Sequence, residues 1–164
     1  MVLHFKNILT SHLVLILLFF SVLTGHADST SITDSDAKDI SLRYEVDNVI
    51  RQCLELLSKE QNLDGYWATS DFPGMTALIV RAFLETPVDT EKWIKSDTVA
   101  KGIAFLREHV QDDGGIYNRG LYSYNTSISL MCLNVYYQTA EQHQLLNEAE
   151  LAELKEIMLR AREF

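Results

Sequence analysis

Hydrophobic and polar positions divide the chain into three stretches of different rhythm. Leu13 to Leu23 is an apolar run of 11 residues, broken only by Ser21. From Asp28 to Asp39 Ser, Thr and Asp predominate, with too little apolar surface to offset the entropy of ordering. From about Ser41 apolar residues return at intervals of three and four. Val46, Val49, Ile50, Cys53, Leu56 and Leu57 fall on one face of a helix expected to end near Lys59. After a loop holding Asp64-Gly65 and Pro73-Gly74, the stretch from Met75 to Leu84 is apolar almost all round, with Arg81 its charged exception, and Pro87 lies where a helix stops.

The same succession then recurs. Asp97 or Thr98 is the expected cap of a helix carrying Val99, Ile103, Leu106 and Val110. The loop Asp112 to Gly120 follows, and a helix is expected from Asn125 or Thr126 through Val135. Leu151, Leu154, Ile157, Met158, Ala161 and Phe164 carry helical spacing again. The predicted organisation is a repeat over about 46–86, a second over 96–136 and the start of a third over 147–164, all within a domain at 41–164. Laid over each other at an offset of 50 without a gap, 46–86 and 96–136 share six identities: Asp47/Asp97, Val49/Val99, Leu56/Leu106, Gln61/Gln111, Gly65/Gly115 and Thr76/Thr126. Internal repeats of this length signify stacked supersecondary units. The chain is therefore expected to be all-α, built of helical hairpins.

The first stretch is an address. Lys6 precedes the apolar run, and Gly25 and Ala27 suit the small-residue pockets of a signal peptidase. A spanning helix needs about 20 apolar residues, so residues 1–27 are read as a signal peptide cut near Ala27, with 28–40 a flexible leader. The mature protein is expected to be secreted or periplasmic, with no stable membrane span.

Charge narrows the partners. The chain has 23 acids against 14 bases, a net charge of −9. Removing residues 1–27 takes away only the +1 of Lys6 and leaves −10. No basic patch exists to neutralise phosphates, which excludes nucleic acid as an expected partner, and adsorption to anionic lipid has no cluster of Lys and Arg to drive it.

Arg51 leading to Gln61 and Gly65-Tyr66-Trp67, and Lys101-Gly102 leading to Gln111 and Gly115-Ile116-Tyr117, resemble the QW repeats of squalene-hopene cyclases and prenyltransferase β subunits. Gln52 stands where the small residue of Gly102 is found, and Tyr117 replaces Trp. The resemblance implies an α/α-toroid, here a partial one of about two and a half hairpins, with outer helices tied together by Gln61, Trp67, Gln111 and Tyr117. It also implies an inner ring formed by helices 75–86 and 125–137, which lines the substrate cavity in cyclases. Gly65 and Gly115 are expected to permit tight turns. Tyr122, Tyr124, Asn125 and Arg119 are the candidates for meeting a ligand at the mouth of that cavity.

The catalytic signatures of the resembled families are missing. Asp34-Ser-Asp36-Ala37 lacks the last acid of the Asp-x-Asp-Asp that protonates an alkene, and Asp112-Asp113-Gly-Gly-Ile116 lacks that of the magnesium-binding Asp-Asp-x-x-Asp. Cys53, Cys132, His109 and His143 are not at zinc-ligand spacing, and both cysteines, on apolar helical segments, are read as buried free thiols, the alternative being a disulfide between them in an oxidising compartment. No metal or cofactor is expected. The preferred reading is an exported, non-catalytic toroid repeat protein or fragment, a scaffold or a binder of an apolar small molecule, associating with itself or with further repeats. The alternative is part of a cyclase or prenyltransferase whose catalytic region lies outside this chain.

Overall fold

Six helices follow one another in the computed structural model, which describes residues 34–164. They are α1 (Asp34–Lys59), α2 (Pro73–Leu84), α3 (Thr90–Ile94), α4 (Asp97–Glu108), α5 (Tyr122–Gln142) and α6 (Glu148–Glu163). The fold class is all-α. Among the described residues the only β pairing is an isolated bridge between Val110 and Ile116. None of the described helices is long and apolar enough to cross a membrane. The stretch expected to be a signal peptide, 1–27, and the first part of the expected leader lie outside the described residues. Asp34–Ile40, expected in the flexible leader, is helical and opens α1.

Local chemistry accounts for most helix ends. Pro73 opens α2, where its fixed φ and missing N–H cost nothing. The cap of α4 is Ser96, one residue before the expected Asp97, and its hydroxyl accepts from the Val99 N–H at 3.3 Å. Asn147 and Glu150 form a reciprocal capping box at the start of α6. α5 begins at Tyr122, ahead of the expected Asn125, after Leu121 in the left-handed region at φ +47°. The single turn α3 was not foreseen. Its apolar pair, Trp93 and Ile94, is fully buried while its other positions are polar, so tertiary packing holds it together.

Ser41–Phe164 is one unit with one core. α2 packs against α5, α4 and α3, and α5 packs against α6. Side-chain bonds show the direction of neighbours. Arg51 pairs with Asp89, Glu55 with Lys92 and Ser58 with Thr98, ascending together along α1 and along α3–α4, so these run parallel. Arg107–Glu153 and the bond from Arg160 to the Gln111 carbonyl relate α4 and α6 in the same way. The structure is thus two parallel helix-loop-helix units, α1–α2 and α4–α5, followed by α6. Phe83, at the centre, stacks against Trp67 with ring centroids 6.1 Å apart and meets Trp93 at 4.9 Å.

Candidate functional site

The residues singled out by the repeat gather at the loops that follow α1 and α4, and the two loops are built alike. In the first, the Asn62 N–H donates to the Tyr66 carbonyl at 2.8 Å, Gly65 N–H to the Asn62 carbonyl at 2.9 Å, and Trp67 N–H to the Thr76 hydroxyl at 3.4 Å. In the second, Gln111 N–H donates to the Gly115 carbonyl at 2.8 Å, Gly114 N–H to the Gln111 carbonyl at 3.0 Å, and Ile116 N–H to the Thr126 hydroxyl at 2.9 Å. Gly65 and Gly114 both take φ +91°, a conformation strained for any residue with a Cβ. A Cβ at Gly65 would meet the Lys101 carbonyl, and one at Gly114 would come 2.7 Å from the Arg160 carbonyl. Each glycine lets its loop lie directly against the backbone of the next unit's helix.

These equivalences correct the repeat register. Through the first helix and the turn the offset is 49: Asn62 matches Gln111, Gly65 matches Gly114, and Trp67 matches Ile116. The gapless offset of 50 is recovered only at Thr76/Thr126, because Trp67 and Thr76 are 9 positions apart whereas Ile116 and Thr126 are 10. Burial agrees. Val99 and Leu106 are 1% and 0% exposed, but their offset-50 counterparts Val49 and Leu56 are 58% and 59% exposed. Leu54 and Ile103, 49 apart, are both in the core. Gly115, expected to be the second turn glycine, has no positive φ. Its lack of a side chain makes room for the Tyr117 ring, which a Cβ there would strike.

The tie residues consequently act differently in the two junctions. Gln61 Nε2 donates to the Gly65 carbonyl and to the Thr98 carbonyl, both at 2.9 Å, joining the first loop to α4. The buried Trp67 indole donates to the Leu57 carbonyl at 2.7 Å, satisfying an acceptor that the end of α1 leaves free. Gln111 Nε2 stays within its own loop, on the carbonyls of His109 and Tyr117 at 3.1 and 2.8 Å. The crossing bond there comes from Arg160, which the sequence reading did not single out, donating to the carbonyls of Gln111 and Asp112 at 3.0 and 2.9 Å. Tyr117 is half-buried, its hydroxyl on Asp113 at 2.6 Å and its ring near Tyr122 and Phe164. That bond from Tyr117, with the Gly115 N–H, holds the Asp113 carboxyl below its ordinary range. Arg51 makes an exposed ion pair with Asp89 at 3.0 Å, and the side chain of Lys101 is exposed.

The four candidates for a cavity mouth differ in setting. Tyr122 and Tyr124 are half-exposed at the start of α5, and Arg119 is exposed beside Asp71 at 3.7 Å. Asn125 is fully buried with both ends of its amide bonded. Its Oδ1 accepts from the Gly74 N–H at 3.0 Å, and its Nδ2 donates to the Gly120 carbonyl at 3.1 Å. It joins the start of α2 to that of α5, a structural role that leaves no atom of the amide at the surface.

The two cysteines also part company. Both are free thiols, but Cys53 is exposed on α1 and only Cys132 is buried. Burial pushes the Cys132 thiol up to about 12. Among the described residues no group of His, Cys, Asp and Glu is placed to hold a metal ion. Comparison with protein-family models, with curated proteins and with solved structures finds no match to this chain.

Proposed function

We propose that the chain is an exported α-hairpin repeat module of α/α-toroid type, akin to the repeats of squalene-hopene cyclases and prenyltransferases, serving as a scaffold or as a binder of an apolar small molecule and not as a catalyst. One observation carries the reading. The junctions at Asn62–Trp67 and Gln111–Ile116 have the same backbone bonds and the same left-handed glycine, and each glycine abuts the helix of the next unit. Such a device specifies how successive hairpins stack. The motif side chains serve the framework: Gln61 reaches the Thr98 carbonyl of the next unit, and Trp67 and Gln111 brace their own unit through main-chain carbonyls. The apolar-ligand part of the reading draws on α2, where Met75 and Leu78 are exposed on one face.

The test is incubation of the full chain with squalene, and separately with farnesyl diphosphate plus an acceptor peptide, each with magnesium and zinc present. The expected result is no cyclised or prenylated product. Product formed above a heat-denatured control would overturn the non-catalytic reading.

A further inference from the structure

Besides Met75 and Leu78 on α2, the unit Ser41–Phe164 has unpartnered apolar surfaces among the described residues on its first helix and on its last pair. On α1, Leu42, Val46, Val49, Cys53 and Leu56 recur at spacings of four and three and are all exposed, with Glu45 on the same face beside a shallow pocket over Leu42, Val46 and Val49. Leu42 to Leu56 spans about 21 Å at 1.5 Å per residue. Between α5 and α6 lies a trench formed by two adjoining cavities of about 450 and 250 Å³, which share Leu130 and Arg162. Its apolar floor includes Leu130, Met131, Met158 and Leu159, and Lys155 and Arg162 line its α6 wall. Along α5 it runs from Ser123 to Asn134, about 16 Å by the same rise. It is open and three turns long, apolar from Leu130 to Met131 and hydroxyl-lined at Ser123, Thr126 and Ser127, a form that can receive a helix face.

We infer that the trench takes the α1 stripe of a second copy of this chain. The stripe, about 21 Å long, is long enough to fill the trench of about 16 Å, and its apolar side chains suit the part of the trench lined by Leu130, Met131, Met158 and Leu159. The charges of the two surfaces are opposite: the stripe carries an acid, Glu45, and the trench carries two bases in a chain whose net charge is −9. Because the faces differ, the contact is heterologous, so association proceeds head to tail and each added copy leaves a stripe and a trench free. The inference rests on these two surfaces and not on the toroid reading, and it stands or falls separately from it.

Sedimentation velocity of the full chain from about 1 µM to about 1 mM, the range of a modest interface, is the direct test. The expected result is a mass that rises with concentration, while alkylation of Cys53 slows because the stripe becomes covered. Val49→Asp and Met131→Asp should each abolish the rise, with helicity and melting kept because both residues are exposed. Glu45→Lys and the double variant Lys155→Glu with Arg162→Glu should each weaken association about tenfold, and an equimolar mixture of the two should restore it, since head and tail then have complementary charges again. A monomer at every concentration overturns the proposal. So does association that survives Val49→Asp, or loss in Met131→Asp alone, which would assign the trench to a different occupant. Failure of the charge-reversed pair to rescue overturns the assigned pairing.

Discussion

Asn125 caps a helix of the preceding unit, accepting at Oδ1 from the N–H of Gly74, 51 positions before it. Phe72, the cap residue of α2, supplies no side-chain acceptor, so an orphan donor at the head of that helix is satisfied from the neighbouring unit. The Gly74 backbone lies so close that a Cβ there would come 2.9 Å from the same oxygen. Replacing Asn125 by Ala strands the buried Gly74 N–H, at about 1–3 kcal/mol, and also removes the part-buried bond to the Gly120 carbonyl, worth about 1 kcal/mol. A loss of about 2–4 kcal/mol in urea unfolding is expected, and an unchanged midpoint would remove the bridging role.

The register of the junctions is open to a glycine scan. Gly65→Ala and Gly114→Ala each force a side chain into φ +91° and into the carbonyl of the next helix. Both are expected to lower stability by more than about 2 kcal/mol. Gly120 also has positive φ, at +60°, but nothing lies within 4 Å of an added Cβ, so Gly120→Ala should cost only about 1 kcal/mol. Thermal melts that rank Gly114 with Gly120 instead of with Gly65 would contradict the offset of 49.

Trp67 separates packing from hydrogen bonding. Trp67→Phe keeps a ring against Phe83 and gives up the bond to the Leu57 carbonyl, an expected cost of about 1–2 kcal/mol. Trp67→Ala also opens a cavity and should cost about 3–5 kcal/mol. Tyr117→Ala, in the second loop, should cost less than Trp67→Ala because Ile116 takes the buried position there. Calorimetric melting of the three variants checks the order.

The thiols give a chemical readout of the same packing. In dilute native protein Cys53 should take up iodoacetamide readily. Cys132, buried and held protonated well past neutral pH, should react only on unfolding. Mass spectrometry of the native protein should find a single adduct, on Cys53. Equal labelling of both would contradict the burial of Cys132.

The Asp113–Tyr117 bond predicts a small pH dependence with a definite sign. The folded carboxyl titrates below the ordinary value of 3.8 because the Tyr117 hydroxyl and the Gly115 N–H donate to its charged form. Its contribution is therefore present at neutral pH and is lost as pH falls through the depressed value. The Tyr117 hydroxyl, bonded to Asp113, titrates above 10, so the same bond persists until strongly alkaline pH. The difference in melting temperature between the native chain and Asp113→Ala should be constant from pH 5 to 9 and narrow below about pH 4. The pair is exposed, so the effect is small, and a gap that widened in acid would refute the bond.

Sequence by itself determined most of the helices, though not the single turn α3 or the helical start of α1. A helix is a local periodicity, so the spacing of Val46, Val49, Ile50, Cys53, Leu56 and Leu57, of Val99, Ile103 and Leu106, and of Leu151, Leu154 and Met158 places α1, α4 and α6, and the glycines with Pro73 and Pro87 punctuate them. The recurrence itself was also legible, and Thr76/Thr126 proved to be a true equivalence. What only tertiary structure decided was register and partnership. Spacing tells which residues share a face, but a neighbouring helix decides which flank of that face is covered, and this is why Val49 and Leu56 are exposed while Val99 and Leu106 are buried. A gapless comparison could not see the extra residue between Ile116 and Thr126, so it paired Gly65 with Gly115 when the strained turn falls on Gly114. The partners of Asn125 and Arg160 lie about 50 positions away. No local pattern records such bonds, because they exist only once the hairpins have stacked.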